Sequence, residues 1–65
     1  MRINQNIRAP ELRVISPDGE NLGTLSFEDA FARARTLGLD LLEIAPTAEP
    51  PVAKIMDYGK FCYEA

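Results

Sequence analysis

The side chains best suited to chemistry in this sequence are cations set among apolar and aromatic neighbours, not nucleophiles beside bases. Arg13 and Lys54 each interrupt a short apolar stretch, Leu12-Arg13-Val14-Ile15 and Val52-Ala53-Lys54-Ile55-Met56. Held on one surface, a guanidinium and an ammonium neutralise phosphate charge, which supplies the sequence-independent part of nucleic-acid affinity. Arg8 near the start of the chain can add a phosphate contact. Asn21, in a turn segment, carries an amide that donates to phosphate or ribose and accepts from a base or a 2′-hydroxyl. Near the end, Tyr58, Lys60, Phe61 and Tyr63 interleave rings with a cation, a pattern that elsewhere stacks on unpaired bases. Each has a plainer reading beside it. Arg13 and Lys54 also suit solvated sheet positions, Arg8 a solubilising terminal charge, Asn21 a turn, and Tyr58 with Phe61 the packing face of a helix. The candidate set is Arg8, Arg13, Asn21, Lys54, Lys60 and Tyr63, with Arg2 left out as a terminal charge.

Catalytic and metal chemistry lack their usual residues. Histidine is absent, which removes the commonest general base and metal ligand. Cys62, the single cysteine, has no histidine, second cysteine or cationic cluster beside it, so it reads as a packing residue. Glu28 and Asp29 are adjacent on a helix and diverge, so they form no dyad. Asp18-Gly19 lacks the further oxygens of a calcium loop, and no glycine-rich phosphate cradle precedes a helix. The expectation is a non-enzyme with no cofactor, metal or small-molecule substrate. One cysteine closes no internal disulfide, which points to a reducing, cytoplasmic setting. No apolar run approaches the ~18 residues of a membrane span.

Sixty-five residues, 46% of them hydrophobic and 26% charged, describe one small globular domain. A chain of this size buries only about 60% of its unfolded surface, leaving little room for a deep pocket and favouring recognition across a surface. A monomer is the expected state. The net charge of −3 argues against a broadly basic nucleic-acid binder, but the charge is uneven. Residues 1–16 carry three arginines against one acid, residues 17–49 two arginines against seven acids, and the remainder is balanced. Any cationic surface must be assembled from the two ends of the chain.

The elements that would do this follow from periodicity. Glu11–Ser16 alternates as a strand, Pro17-Asp18-Gly19 suits a reversing turn, and Leu22–Leu25 is a second strand in which Gly23 marks a bulge or a close backbone approach. Ser26 suits an N-cap. Phe27, Ala30, Phe31, Ala34 and Leu37 then draw one apolar helical stripe, with an Asp29–Arg33 pair on the polar side and Gly38 as the stop. Leu39–Ala45 reads as a third strand ended by Pro46, and Val52–Met56 as a fourth entered through Pro50-Pro51. The order is ββαββ: an α+β, β-grasp-like fold, a mixed four-stranded sheet packed on one helix. Asp57 is placed to cap a second helix. The expected division is a flexible arm over residues 1–10, the sheet-and-helix body over 11–57 and the start of a linker helix over 58–65.

Several strings then resemble a known family. Ile3-Asn4 with Ile7-Arg8, Asp18-Gly19 with Leu22-Gly23, Leu39-Asp40-Leu41 with Glu43-Ile44 and Pro46, and above all Pro50-Pro51-Val52 followed by Ile55-Met56-Asp57-Tyr58-Gly59-Lys60-Phe61 and Tyr63-Glu64 are similar to the amino-terminal domain of bacterial translation initiation factor 3. The likeness covers nearly the whole chain. It implies a β-grasp domain followed by a linker helix and a carboxy-terminal domain that this sequence lacks. It also implies binding to the small (30S) ribosomal subunit, with 16S ribosomal RNA, platform proteins and initiator transfer RNA as partners and a part in start-codon selection. Subunit anti-association belongs mainly to the other domain. Ala53 stands where many relatives carry cysteine and Lys54 where arginine also occurs. The lysine makes a point-charge contact in place of a bidentate one.

In such a sheet the first and last strands are neighbours, so Arg13 and Lys54 sit side by side if both point away from the helix, with Ile15 and Met56 as an apolar surround. Two other classes compete. A ubiquitin-like protein-interaction domain would show an exposed apolar patch and nuclease-resistant binding, and a small enzyme would show turnover abolished by one carboxylate change.

Overall fold

The computed structural model describes residues 2–60. Its elements are β1 (Arg2–Ile3), a 3-10 turn (Asn4–Asn6), β2 (Glu11–Ile15), β3 (Asn21–Ser26), α1 (Phe27–Thr36), β4 (Asp40–Ala45) and β5 (Val52–Met56). The strands form one mixed sheet in the order β1-β4-β5-β2-β3, in which β2 and β5 are parallel and every other pair is antiparallel.

Strand alternation decides which face is buried. Leu12 and Val14 of β2, Leu41 of β4, and Ala53 and Ile55 of β5 form one core with Ala30 and Ala34 of α1. The residues between them, Arg13, Ile15, Leu42, Lys54 and Met56, therefore point to the other face. Alanine at both buried helix positions lets α1 lie close to the sheet, with the stacked rings of Phe27 and Phe31 packed at its side. Leu37, expected on the apolar stripe, caps the helix and is 57% exposed. The expected Asp29–Arg33 pair does not form among the described residues; on this helix Arg35 lies over the Phe31 ring, 5.8 Å from its centroid.

The helix ends follow the local chemistry. Ser26 Oγ accepts from the Asp29 amide at 3.2 Å, and Glu28 and Asp29 occupy the positive end of the helix dipole. At the other end Gly38 adopts φ +70°, with its amide bonded to the Arg35 carbonyl and the Leu39 amide to the Ala34 carbonyl, both at 2.9 Å. This is a Schellman closure, and it needs the left-handed conformation. Nothing lies within 4 Å of a Cβ built at Gly38, so the restriction is backbone, not space. Gly38→Ala is expected to lower stability by about 1–2 kcal/mol, measured as the shift in a urea midpoint at unchanged m-value. An unchanged midpoint would show that the closure re-forms without glycine.

At Gly23 the choice between bulge and close approach is settled in the same way. Its φ is +84°, open space surrounds its Cβ position, and the β2–β3 register slips between Val14 and Ile15. Gly23 is a bulge residue. In the preceding turn the Ser16 hydroxyl donates to Asp18 and accepts from the Glu20 amide. The Ser16 hydroxyl and, after it, the Glu20 backbone hold the Asp18 carboxyl below the usual carboxylate range.

The sheet has five strands where four were expected. The extra one comes from the segment expected to be an arm: Arg2 pairs with Glu43 and Ile3 with Leu42, and Ile7 is 5% exposed in the core. Two residues have no strand tendency of their own. Burying Ile7 contributes about 1.5–3 kcal/mol, and this tertiary anchor keeps the segment beside β4. The covering by β1 also accounts for Leu42, fully buried although it faces away from α1, and for Glu43, only 4% exposed between two strands.

Candidate nucleic-acid interface

The parallel pairing of β2 with β5 determines how the cations meet. Arg13 lies opposite Val52, and Ile15 opposite Lys54, so the two cations occupy neighbouring strands one diagonal step apart. Both belong to the face turned away from α1. Arg13 is exposed and Lys54 half-buried. Lys54 has Ile15 on one side and Leu42 on the other, so its aliphatic stem lies over apolar neighbours while the ammonium reaches outward. Ile15, Val52 and Met56, all half-buried, supply the apolar surround on this face.

Neither cation forms an ion pair with an acid among the described residues. Glu11 shares the face but precedes Arg13 on the side away from Lys54, and Asp40 lies opposite Met56 at the end of β5. The centre of the face is therefore a local positive spot on an acidic chain, which concentrates anions there.

Asn21 joins this group because it pairs with Ile15 from the opposite side, placing Lys54, Ile15 and Asn21 in one row across β5, β2 and β3. Its Oδ1 accepts from the Gly23 amide at 2.8 Å, so the carboxamide oxygen serves the bulge and its NH2 group is left to donate outward. The remaining candidates lie elsewhere. Arg8, exposed, stands on the segment between the 3-10 turn and β2, and Lys60, exposed, follows β5 with its amide bonded to Asp57 Oδ1 at 3.2 Å. Tyr63 falls outside the described residues, as do Phe61 and Cys62.

A feature that sequence reasoning missed organises the far end of the sheet. Asp40 accepts from Asn4 Nδ2 at 3.0 Å through one oxygen and from the Tyr58 amide at 3.1 Å through the other, while Asn4 Oδ1 accepts from the Leu41 amide at 3.0 Å. Asn4 is held at φ +49°, a conformation asparagine tolerates better than most residues. One carboxylate thus clasps the N-terminal turn, the start of β4 and the helical residues 58–60 after β5. Its only trace in the sequence is the pair Ile3 and Ile7 flanking a polar turn. Asp40→Ala is expected to lower stability by about 1–3 kcal/mol, because it strands two partly buried donors. Amide exchange should quicken at both Leu41 and Tyr58; a change at Tyr58 alone would reduce Asp40 to a local cap.

The family model described as "Translation initiation factor IF-3, N-terminal domain" matches residues 3–65. The chain belongs to the IF-3 N-terminal-domain family. Translation initiation factor IF-3 of Nitratidesulfovibrio vulgaris is 59% identical over 64 residues, covering 98% of this chain and 36% of the relative. Its counterpart in Corynebacterium efficiens is 59% identical over 64 residues (98% and 32%), and that of Myxococcus xanthus is 62% identical over 63 residues (97% and 26%). The chain spans about a third or less of the length of these curated IF-3 relatives. The IF-3 match begins at Ile3, so the Asn4–Asp40 clasp falls inside the family domain. No helix among the described residues is long and apolar enough to cross a membrane.

Proposed function

We propose that this domain is a non-catalytic recognition module of translation initiation that docks on the small (30S) ribosomal subunit through the helix-free sheet face. The observation that carries the reading is the family match over residues 3–65, nearly the whole chain. Its partners in this reading are 16S ribosomal RNA, platform proteins and initiator transfer RNA, and its contribution is to start-codon selection and placement of the factor. Subunit anti-association rests mainly with the part of the IF-3 relatives that lies outside this sequence. The domain acts as a cytoplasmic monomer of the β-grasp kind, a description supported by the parallel neighbours β2 and β5 with α1 on one side.

The chemistry divides the work. Arg13 and Lys54 meet phosphate oxygens, Arg13 as a fork and Lys54 as a point charge. Asn21 donates to phosphate or ribose, while Ile15 and Met56 exclude water around the charged contacts. Arg8 adds a peripheral contact, and Lys60 and Tyr63 add contacts from the segment after β5. Charge neutralisation of this kind weakens steeply with salt. Cosedimentation of the labelled chain with purified small and large subunits over a salt series tests the reading. Salt-sensitive association with the small subunit is expected; equal retention by both subunits, or none by either, would overturn it.

A further inference from the structure

At the β1 edge, the end of the sheet opposite β3, Arg2, Ile3, Gln5, Asn6, Arg8 and Tyr58 line an open groove of about 440 Å³. Two of its six lining residues are arginines, two are amides and none is acidic. Arg2 and Arg8 are both exposed, and neither forms an ion pair among the described residues. This holds although Arg2 lies opposite Glu43 in the β1–β4 register, where a pair would be expected. The groove is built on held backbone. Its floor is the turn fastened by Asn4 to Asp40 and Leu41, closed by an Ile7 amide to Asn4 carbonyl bond at 3.1 Å, and Ile7 is buried immediately before Arg8. Its far wall, Tyr58, is fastened to the same Asp40 carboxylate.

We infer that this groove is a second phosphate-binding site, in which Arg2 and Arg8 grip the sugar–phosphate backbone of an RNA strand from the opposite edge of the sheet. Two guanidiniums on a pre-organised turn suit the planar, two-oxygen geometry of a phosphodiester, and the Gln5 and Asn6 amides beside them suit ribose hydroxyls. A pair of cations that forms no ion pair among the described residues, set in a concave wall, concentrates polyanion more strongly than the same charges on a convex surface. The inference rests on the small-subunit reading above and extends it by one site and one residue, Arg2. It predicts that RNA contacts extend beyond the central Arg13/Lys54 spot to the β1 edge.

The experiment is the salt dependence of association with purified small subunits, for the unaltered chain, Arg2→Gln with Arg8→Gln, and Arg2→Lys with Arg8→Lys. Loss of two phosphate contacts should lower the slope of log affinity against log salt by about two. The lysine pair, which keeps the charge, should retain the slope. Both arginines are exposed, so native circular dichroism is expected throughout; should the glutamine pair fold poorly, Arg8→Gln alone is expected to lower the slope by about one, and an unchanged slope there overturns the site. An unchanged slope in the glutamine pair overturns this site and leaves the small-subunit reading standing. Failure of the unaltered chain to associate overturns that reading and this site together. Protein-free 16S RNA serves as a second probe: the same fall in slope there supports an RNA ligand, and loss of the effect overturns it in favour of an acidic protein surface.

Discussion

Reversing both central cations, Arg13→Glu with Lys54→Glu, should weaken association with small ribosomal subunits by roughly ten- to a hundred-fold at low salt, corresponding to about 1–3 kcal/mol. The two side chains lie one diagonal step apart on the parallel strands β2 and β5, and no acid pairs with either among the described residues. A carboxylate at each position therefore replaces attraction by repulsion without stranding an internal partner. Arg13 is exposed, so its reversal leaves the fold alone; Lys54 is half-buried, so the swap there is checked by circular dichroism and a urea melt. The deficit should shrink as salt rises, because screening over about 10 Å at 0.1 M removes interactions between exposed charges. A deficit that persists at high salt would show a packing defect, and unchanged binding would remove this face from the mechanism.

Truncating Leu41 to alanine is expected to lower stability by about 2–5 kcal/mol. Stability near 0.05–0.15 kcal/mol per residue gives a chain of this length roughly 3–10 kcal/mol in all, so the loss unfolds much of the population in mild denaturant. Leu41 is fully buried, pairs with Ile55 and stands in the core that α1 covers. Few neighbours can move into the space it leaves, because two of the facing helix residues are alanines already in close contact with the sheet. Leu37→Ala provides the contrast: at 57% exposure it should change stability by no more than about 0.5 kcal/mol. A urea melt of the two variants side by side decides the matter, and equal losses would mean that the apolar stripe of α1 reaches Leu37 after all.

The two substitutions separate what holds the sheet from what the sheet presents. Leu41 and its partners act on the helix side, where burial dominates. Arg13, Lys54 and Asn21 lie on the other, where register decides which charges become neighbours. Under the proposed function, residues at positions of opposite parity in one short strand carry stability and recognition separately, which allows one face to change with little effect on the other.

Much of this was present in the order of residues alone. Ser26 as a cap, Gly38 as a stop and the strand limits of Val52–Met56 are local chemistry, and local chemistry is legible because its partners lie within a few residues. The family strings carried identity for the same reason: they are words, and words need no fold. Two things were decided only by the tertiary structure. The β1 strand exists because a buried Ile7 and the Asn4–Asp40 clasp hold two residues against β4 across some forty positions of sequence. Arg2, set aside as a terminal charge, faces the same groove as Arg8 because the 3-10 turn brings them round. In each case the deciding term was a contact between residues far apart in the chain, whose favourable free energy appears only after the loop between them has closed, and no local pattern records it.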